Sequence, residues 1–158
     1  MSLTWWVEGT ERGEDIVRLR GAITESARLC DAIAQLPPVV TLDLSGVERI
    51  TSPGVREWVQ FIQSASDGRD VSLARCSVSI VNQLNLVDGA SGRATVVSVM
   101  APYYCESCHQ EHALPLEVAA GVMPRLPQDV PCPRCGEAMI FDDLPESFFG
   151  FLHVTPAQ

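Results

Sequence analysis

Two Cys-x-x-Cys pairs, Cys105/Cys108 in Tyr-Tyr-Cys-Glu-Ser-Cys and Cys132/Cys135 in Pro-Cys-Pro-Arg-Cys-Gly, constrain this chain more than any other feature. Two residues between cysteines let both sulfurs of a tight turn point the same way, and two such turns supply the four ligands of a tetrahedral site. The 23 residues between the pairs exceed the roughly 15 to 20 of the commonest spacing. Loop-closure entropy grows only logarithmically with length, so the excess costs about a few tenths of a kcal/mol. The pattern therefore predicts one structural metal, zinc by preference, on Cys105, Cys108, Cys132 and Cys135.

The other two cysteines, Cys30 and Cys76, sit alone in apolar-periodic segments and read as small core hydrophobes. Disulfides are therefore not the theme. The N-terminus lacks the basic, apolar, small-residue pattern of a secretory signal, and no stretch approaches the length of a membrane span. These features predict a reducing cytoplasm. The formal net charge is -9, and four thiolates around a dication would make it more negative still. After residue 100 the only basic residues are Arg125 and Arg134, against eight carboxylates. Electrostatics thus disfavours a nucleic-acid partner for the metal-bearing part.

The first hundred residues read as alternating strands and helices. Trp5 to Glu8 and Ile16 to Ile23 are strand-like runs separated by the polar turn Gly9 to Asp15, which suggests a hairpin. Thr24 or Ser26 can cap a helix carrying Leu29, Ala32, Ile33 and Leu36, stopped by Pro37 and Pro38. The run Val39-Val40-Thr41-Leu42-Asp43-Leu44 is β-branched and mostly apolar, as expected for an interior strand covered on both faces. Val55, Trp58, Val59 and Ile62 form the next helical stripe, with onset at Ser52: its hydroxyl can cap, and Pro53 needs no donor in the first turn. Val71 to Ala74 then predict a strand, and Ser77 or Ser79 starts a third helix with Ile80, Val81, Leu84 and Val87. Ala94 to Met100 predict the last strand. Helical crossovers between such strands return right-handed and largely parallel, so an α/β sheet with packed helices is expected.

This order, and particular residues within it, resemble the STAS domain, the module shared by sulphate transporters and anti-sigma factor antagonists. The carriers are Ile16-Val17-Arg18-Leu19-Arg20-Gly21, Leu42-Asp43-Leu44-Ser45-Gly46-Val47 and Ile50-Thr51-Ser52-Pro53-Gly54-Val55, with a weaker echo in Leu84-Asn85-Leu86-Val87-Asp88-Gly89. The resemblance implies a STAS-like domain over residues 1–100 with a mixed, mainly parallel sheet and no catalytic activity. It implies a non-enzymatic docking role toward a kinase-like anti-sigma factor or other regulator, through Thr51, Ser52, Pro53, Gly54, Val55 and Arg56. Family members usually read Asp-Ser-Ser-Gly where this chain reads Thr51-Ser52-Pro53-Gly54, so Pro53 stands at the phosphoacceptor position. The usual phosphoserine switch is then missing. Ser52 and Thr51 remain beside it, and a phosphate on either would sit near a helix N-terminus; otherwise Ser52 is a plain cap.

Residues 101–158 are too few to bury a sufficient core unaided, which makes the metal the organiser of a small β zinc-ribbon lobe. Leu114 to Val118 suggest one ribbon strand, and Met123 to Val130 a second, broken by Pro124 and Pro127. The run from the last strand into Cys105 leaves a link too short for independent tumbling, so the lobe should pack on the end of the sheet. With four cysteines completing a closed shell, His109 and His112 are expected as surface residues or donors to sulfur, not ligands. Cys132-Pro133-Arg134-Cys135-Gly136 also resembles one knuckle of rubredoxin, which implies an iron electron-transfer protein as the alternative. Only half of that pattern matches, because the first knuckle continues Cys108-His109 where the rubredoxin pattern has Cys-Gly. A closed shell leaves no open position for metal-assisted hydrolysis. Finally, the segment from Met139 to Leu152 holds four of the chain's five phenylalanines interleaved with acids. Those rings either cover the ribbon and sheet or form a protein-docking patch.

Overall fold

The computed structural model describes residues 3–9 and 15–154. Strands β1 (Thr4–Gly9) and β2 (Asp15–Ile23) pair antiparallel, Trp5 opposite Leu19 and Val7 opposite Val17. Most of the turn predicted between them, residues 10–14, lies outside the described residues. A 3₁₀ helix (Leu29–Gln35) leads to β3 (Val39–Ile50), and α1 (Ser52–Ala65) to β4 (Asp70–Ala74). Helix α2 (Val78–Leu86) then leads to the short β5 (Thr95–Val96). The five strands lie in sequence order, with β2, β3, β4 and β5 parallel. Each crossover steps one strand in the same direction. Right-handed connections therefore lay the 3₁₀ helix, α1 and α2 on one face of a mixed sheet.

Burial follows from that one-sided covering. Val17, Leu19, Val40, Leu42, Val71 and Leu73 alternate along β2, β3 and β4 and are all buried, together with Trp58, Phe61 and Ile62 of α1 and Ile80 and Val81 of α2. The intervening residues Arg18, Thr41 and Ser72 are only half-buried. Strand β3 is thus covered on one face, not two: its β-branched run reflects strand propensity, and the opposite face holds polar side chains. Trp5 packs against the core while Trp6 stays exposed and donates its indole N–H to Glu8.

Three local expectations change. The segment after Thr24 forms a 3₁₀ helix whose flanking residue, Arg28, is left-handed at φ 52°, with no side-chain cap. Seven residues ahead of Pro37 leave little room for regular α-helix, and i→i+3 bonding suits so short a piece. Helix α1 begins at Ser52, but its cap is Thr51, whose Oγ1 accepts from the Gly54 N–H at 3.1 Å. Ser52 is already in the first turn. The predicted last strand divides at Val97, whose N–H bonds to Leu73. Its first half is β5, and its second opens β6 (Ser98–Cys105), which belongs to another sheet.

That second sheet is the small antiparallel lobe, ordered β7-β6-β9-β8 with β7 at Gln110–Glu117, β8 at Val130–Pro131 and β9 at Ala138–Phe141. Pro124 and Pro127 keep residues 123–129 out of it, so of the expected second ribbon strand only Val130 pairs, extended by Pro131 beyond it. A parallel bridge between Cys76 and Val99 ties β6 to the end of β4. Leu116 and Phe141 pack against both the main core and the lobe's own core. The chain ends in α3 (Pro145–Phe148) and a 3₁₀ turn (Gly150–Leu152), whose Phe148, Phe149 and Leu152 enter the main core. Asn85 of α2 clamps this turn, donating Nδ2 to the Phe148 carbonyl at 3.0 Å and accepting from the Phe151 N–H at 2.7 Å.

Candidate metal centre

Strands β6 and β7 are joined by the first knuckle, and β8 and β9 by the second. The pairing of β6 with β9, Tyr103 opposite Phe141 and Tyr104 opposite Ile140, brings the two knuckles together. The sulfur atoms of Cys105, Cys108, Cys132 and Cys135 all lie within 4.8 Å of one another. Cys105 is 3.4 Å from Cys135 and Cys108 is 3.5 Å from Cys132, so the nearest pairs cross between knuckles. A tetrahedron of sulfurs at the usual zinc distance of about 2.3 Å has edges of about 3.8 Å. The four thiols therefore fit one metal ion.

The backbone explains why both turns can converge. His109 and Gly136 follow the second cysteine of their knuckles and both adopt left-handed conformation, at φ 56° and 80°. Glycine takes this at no steric cost; histidine accepts a strain that the surrounding strands must hold. The Gly136 N–H closes the second turn on the Cys132 carbonyl at 2.8 Å, and the Cys132 N–H bonds to Glu137 at 2.8 Å. The Arg134 N–H points at the Cys132 sulfur, 3.4 Å away.

These donors order the thiols electrostatically. Burial pushes Cys132 up, but the backbone N–H groups of Cys135 and Arg134, with hydrogen bonds from Cys108 and Cys105, outweigh it and bring the thiol down to about 6. Cys108 is pushed up to about 12, first by burial and then by the neighbouring sulfurs. Cys135 is raised too: the Glu137 N–H lowers it, and Cys105, burial and Cys132 together prevail. Close-packed sulfurs resist sharing several negative charges, whereas a dication favours the thiolate form of each.

Both histidines lie next to the cluster. His112 Nε2 is 3.7 Å from the Cys132 sulfur, in the place of a donor to a thiolate, and His109 Nδ1 is 2.9 Å from the Tyr104 hydroxyl. Around the site, Ala101, Tyr103, Cys105, Cys132 and Met139 form the lobe's buried cluster, so two of its five members are cysteines that could hold the metal. The Tyr103 hydroxyl donates to the Pro127 carbonyl at 2.7 Å and pins the loop that the prolines keep irregular.

The other predicted site residues, Thr51 to Arg56, lie apart from the cysteines at the carboxyl end of the parallel strands. Thr51 donates both N–H and Oγ1 to the Ile23 carbonyl, at 3.0 and 3.4 Å. Gly54 is pressed onto the same peptide group, where a Cβ would come within 2.0 Å of that oxygen. Gly54 is buried, Thr51 and Val55 half-buried, and Ser52, Pro53 and Arg56 exposed.

One cluster escaped sequence reasoning. Asp43 is buried on the polar face of the sheet and accepts from Arg18, from Arg75 at 3.5 Å, and from the Ser45 N–H and hydroxyl at 3.0 and 2.8 Å. Its signal was a lone carboxylate inside an apolar strand run. The phenylalanines of the C-terminal segment resolve toward packing: Phe148 and Phe149 are buried, and Phe141 stacks on Phe149 with ring centres 6.0 Å apart. No helix among the described residues is long and apolar enough to cross a membrane. Comparison with protein-family models and with curated proteins gives no match to this chain. What stands is a mixed α/β unit joined to an antiparallel lobe whose four cysteines can coordinate a metal.

Proposed function

We propose that this chain is a non-enzymatic protein-docking module of the STAS type, with a zinc ion holding its C-terminal lobe. The observation that carries the reading is the start of α1. The Thr51 cap and the contact of Gly54 with the Ile23 peptide hold the turn rigidly against β2. Ser52, Pro53 and Arg56 are thereby left exposed at the carboxyl end of the parallel strands, the end where open α/β sheets present their binding groups. Strands in sequence order with a helix-covered face suit the STAS resemblance. The partner expected from it is a kinase-like anti-sigma factor or comparable regulator.

Pro53, in the first turn, offers no hydroxyl for a phosphate. Thr51 Oγ1 is engaged as a cap, so Ser52 is the residue at which a phosphate could still meet the first-turn N–H groups. The reading favours constitutive docking without that switch. Zinc is preferred over iron because the metal's role is mechanical here: two ligands make up much of the lobe's small core, and filled sites of this kind supply folding energy directly.

Quantitative affinity capture from the native cell would compare the intact chain with Val55→Asp and Arg56→Glu. A regulator retained by the intact chain and lost from both variants is expected; identical captures would overturn the docking surface. Elemental analysis should give one zinc per chain in a colourless protein, whereas stoichiometric iron with thiolate charge-transfer colour would replace this reading by electron transfer.

A further inference from the structure

The register of the small sheet separates its two faces. Inward, Val99 pairs with Leu116, Ala101 with Leu114 and Tyr103 with His112, and β6 alternates strictly between buried and half-buried positions. Outward, the same ladder sets Met100 beside Pro115, Pro102 beside Ala113, and Tyr104 between Glu111 and Ile140. Side chains facing each other across neighbouring strands are about 5 Å apart, so these residues make one continuous apolar strip. Ile140 is 49% exposed, and Ala113 and Pro115 are exposed as well. Six residue steps along β7 lead from Glu111 to Glu117, which gives the strip a length of about 20 Å between its two carboxylates. At the Glu117 end it runs into a groove of about 420 Å³ lined by Val97, Ser98, Pro115, Leu116 and Glu117.

The charge around this strip selects its occupant. Residues 101–158 contain eight carboxylates and two arginines, and the strip's ends are acidic. A second copy docked about a two-fold axis would set these acidic ends and acidic lobes against each other, and a nucleic acid would be repelled. We infer that the outer face of the lobe binds a partner-protein segment that is both apolar and basic, its apolar side chains on the Met100–Ile140 strip and its cations on Glu111 and Glu117. An amphipathic helix of three to four turns matches the length of the strip at about 1.5 Å per residue. This surface is separate from the start of α1, so the two readings stand or fall independently.

The probe is a synthetic peptide of leucines and lysines at helical spacing, titrated into the zinc-loaded full chain, with a second peptide carrying glutamate in place of lysine. Amide shifts in two-dimensional NMR should concentrate at Met100, Tyr104, Ala113 and Ile140 with the basic peptide and be absent with the acidic one. Ile140→Asp and Met100→Asp, both on the solvent side of their strands, should weaken binding about tenfold or more, a loss typical of a central interface residue. Glu111→Gln with Glu117→Gln should weaken it severalfold and flatten its salt dependence. Val55→Asp should leave it unchanged, and retained zinc would certify each variant's fold. The inference fails if the peptide does not bind at millimolar concentration, if its shifts fall elsewhere, or if Ile140→Asp binds as well as the parent. Equal binding of the acidic peptide, or a dimer abolished by Ile140→Asp, would also overturn it.

Discussion

Gly54→Ala is the sharpest test of how α1 is seated. In the helix interior alanine is favoured over glycine by about 1 kcal/mol, so a solvent-exposed helix would gain from the change. At Gly54 the new methyl would lie 2.0 Å from the Ile23 carbonyl oxygen, 2.7 Å from its carbon and 3.1 Å from Thr24 Cα. All three are backbone atoms, so no side chain can swing aside. The helix start must retreat by at least about 1 Å, and the retreat strains the Thr51 bonds to the same Ile23 oxygen. Overpacking of this kind costs about 1–3 kcal/mol, and loosening a cap about 1 kcal/mol more. Set against the propensity gain, a net loss of about 1–3 kcal/mol is expected. Urea denaturation followed by tryptophan fluorescence measures it in a background with Trp5 and Trp6 replaced by Phe, since the remaining Trp58 is buried in α1 with its indole N–H bonded to Ala90 at 2.7 Å. A net loss below about 0.5 kcal/mol, or a gain, would refute the close contact between helix and strand.

Asn85→Ala removes both hydrogen bonds that clamp the C-terminal turn and should cost about 1–3 kcal/mol; limited proteolysis should then cut near Phe151 well before the sheet, and an unchanged cleavage pattern would dismiss the clamp. Asp43→Asn leaves Arg18 and Arg75 facing a neutral group, but both are partly exposed and can turn to water, so the loss is reduced from the several kcal/mol of a fully buried pair to about 1–2 kcal/mol. Denaturation by urea reads that loss directly. In the metal-loaded protein, alkylation mapped by mass spectrometry should spare Cys76, buried with its thiol pushed up to about 12. Cys30, expected in the core, is instead exposed, and it should be modified slowly, because partial desolvation, Glu57 and Asp31 raise its thiol. Since the thiolate reacts and a raised pKa leaves less of it at every pH, the Cys30 rate should still climb above the usual thiol range of about 8.5; a plateau there would contradict the assignment.

Much of this was written in local chemistry. The two cysteine pairs declare a four-cysteine cluster that can hold a metal, because ligand geometry depends on spacing within a turn and hardly on what surrounds it. The stripe of Trp58 and Ile62 marks α1, and Ser77 caps α2, accepting from the Ile80 N–H. Proline likewise explains its own effects: Pro124 and Pro127 lack the donors a ribbon strand would need. Other features depended on residues distant in the chain. Thr51, rather than Ser52, caps α1 because Ile23 holds both its N–H and its hydroxyl. A run that reads as one strand through Val97 serves two sheets because Leu73 binds one side of the break and Cys76 bridges to Val99 on the other. Strand β3 has only one covered face because successive right-handed crossovers deliver every connecting helix to the same side. Hydrogen bonds within a turn are settled by neighbours, so sequence by itself determined the knuckles and most helix starts. Which face is covered, which carboxylate is buried between arginines and where the phenylalanines pack depend on surfaces brought together from far apart, and only the tertiary structure decided them.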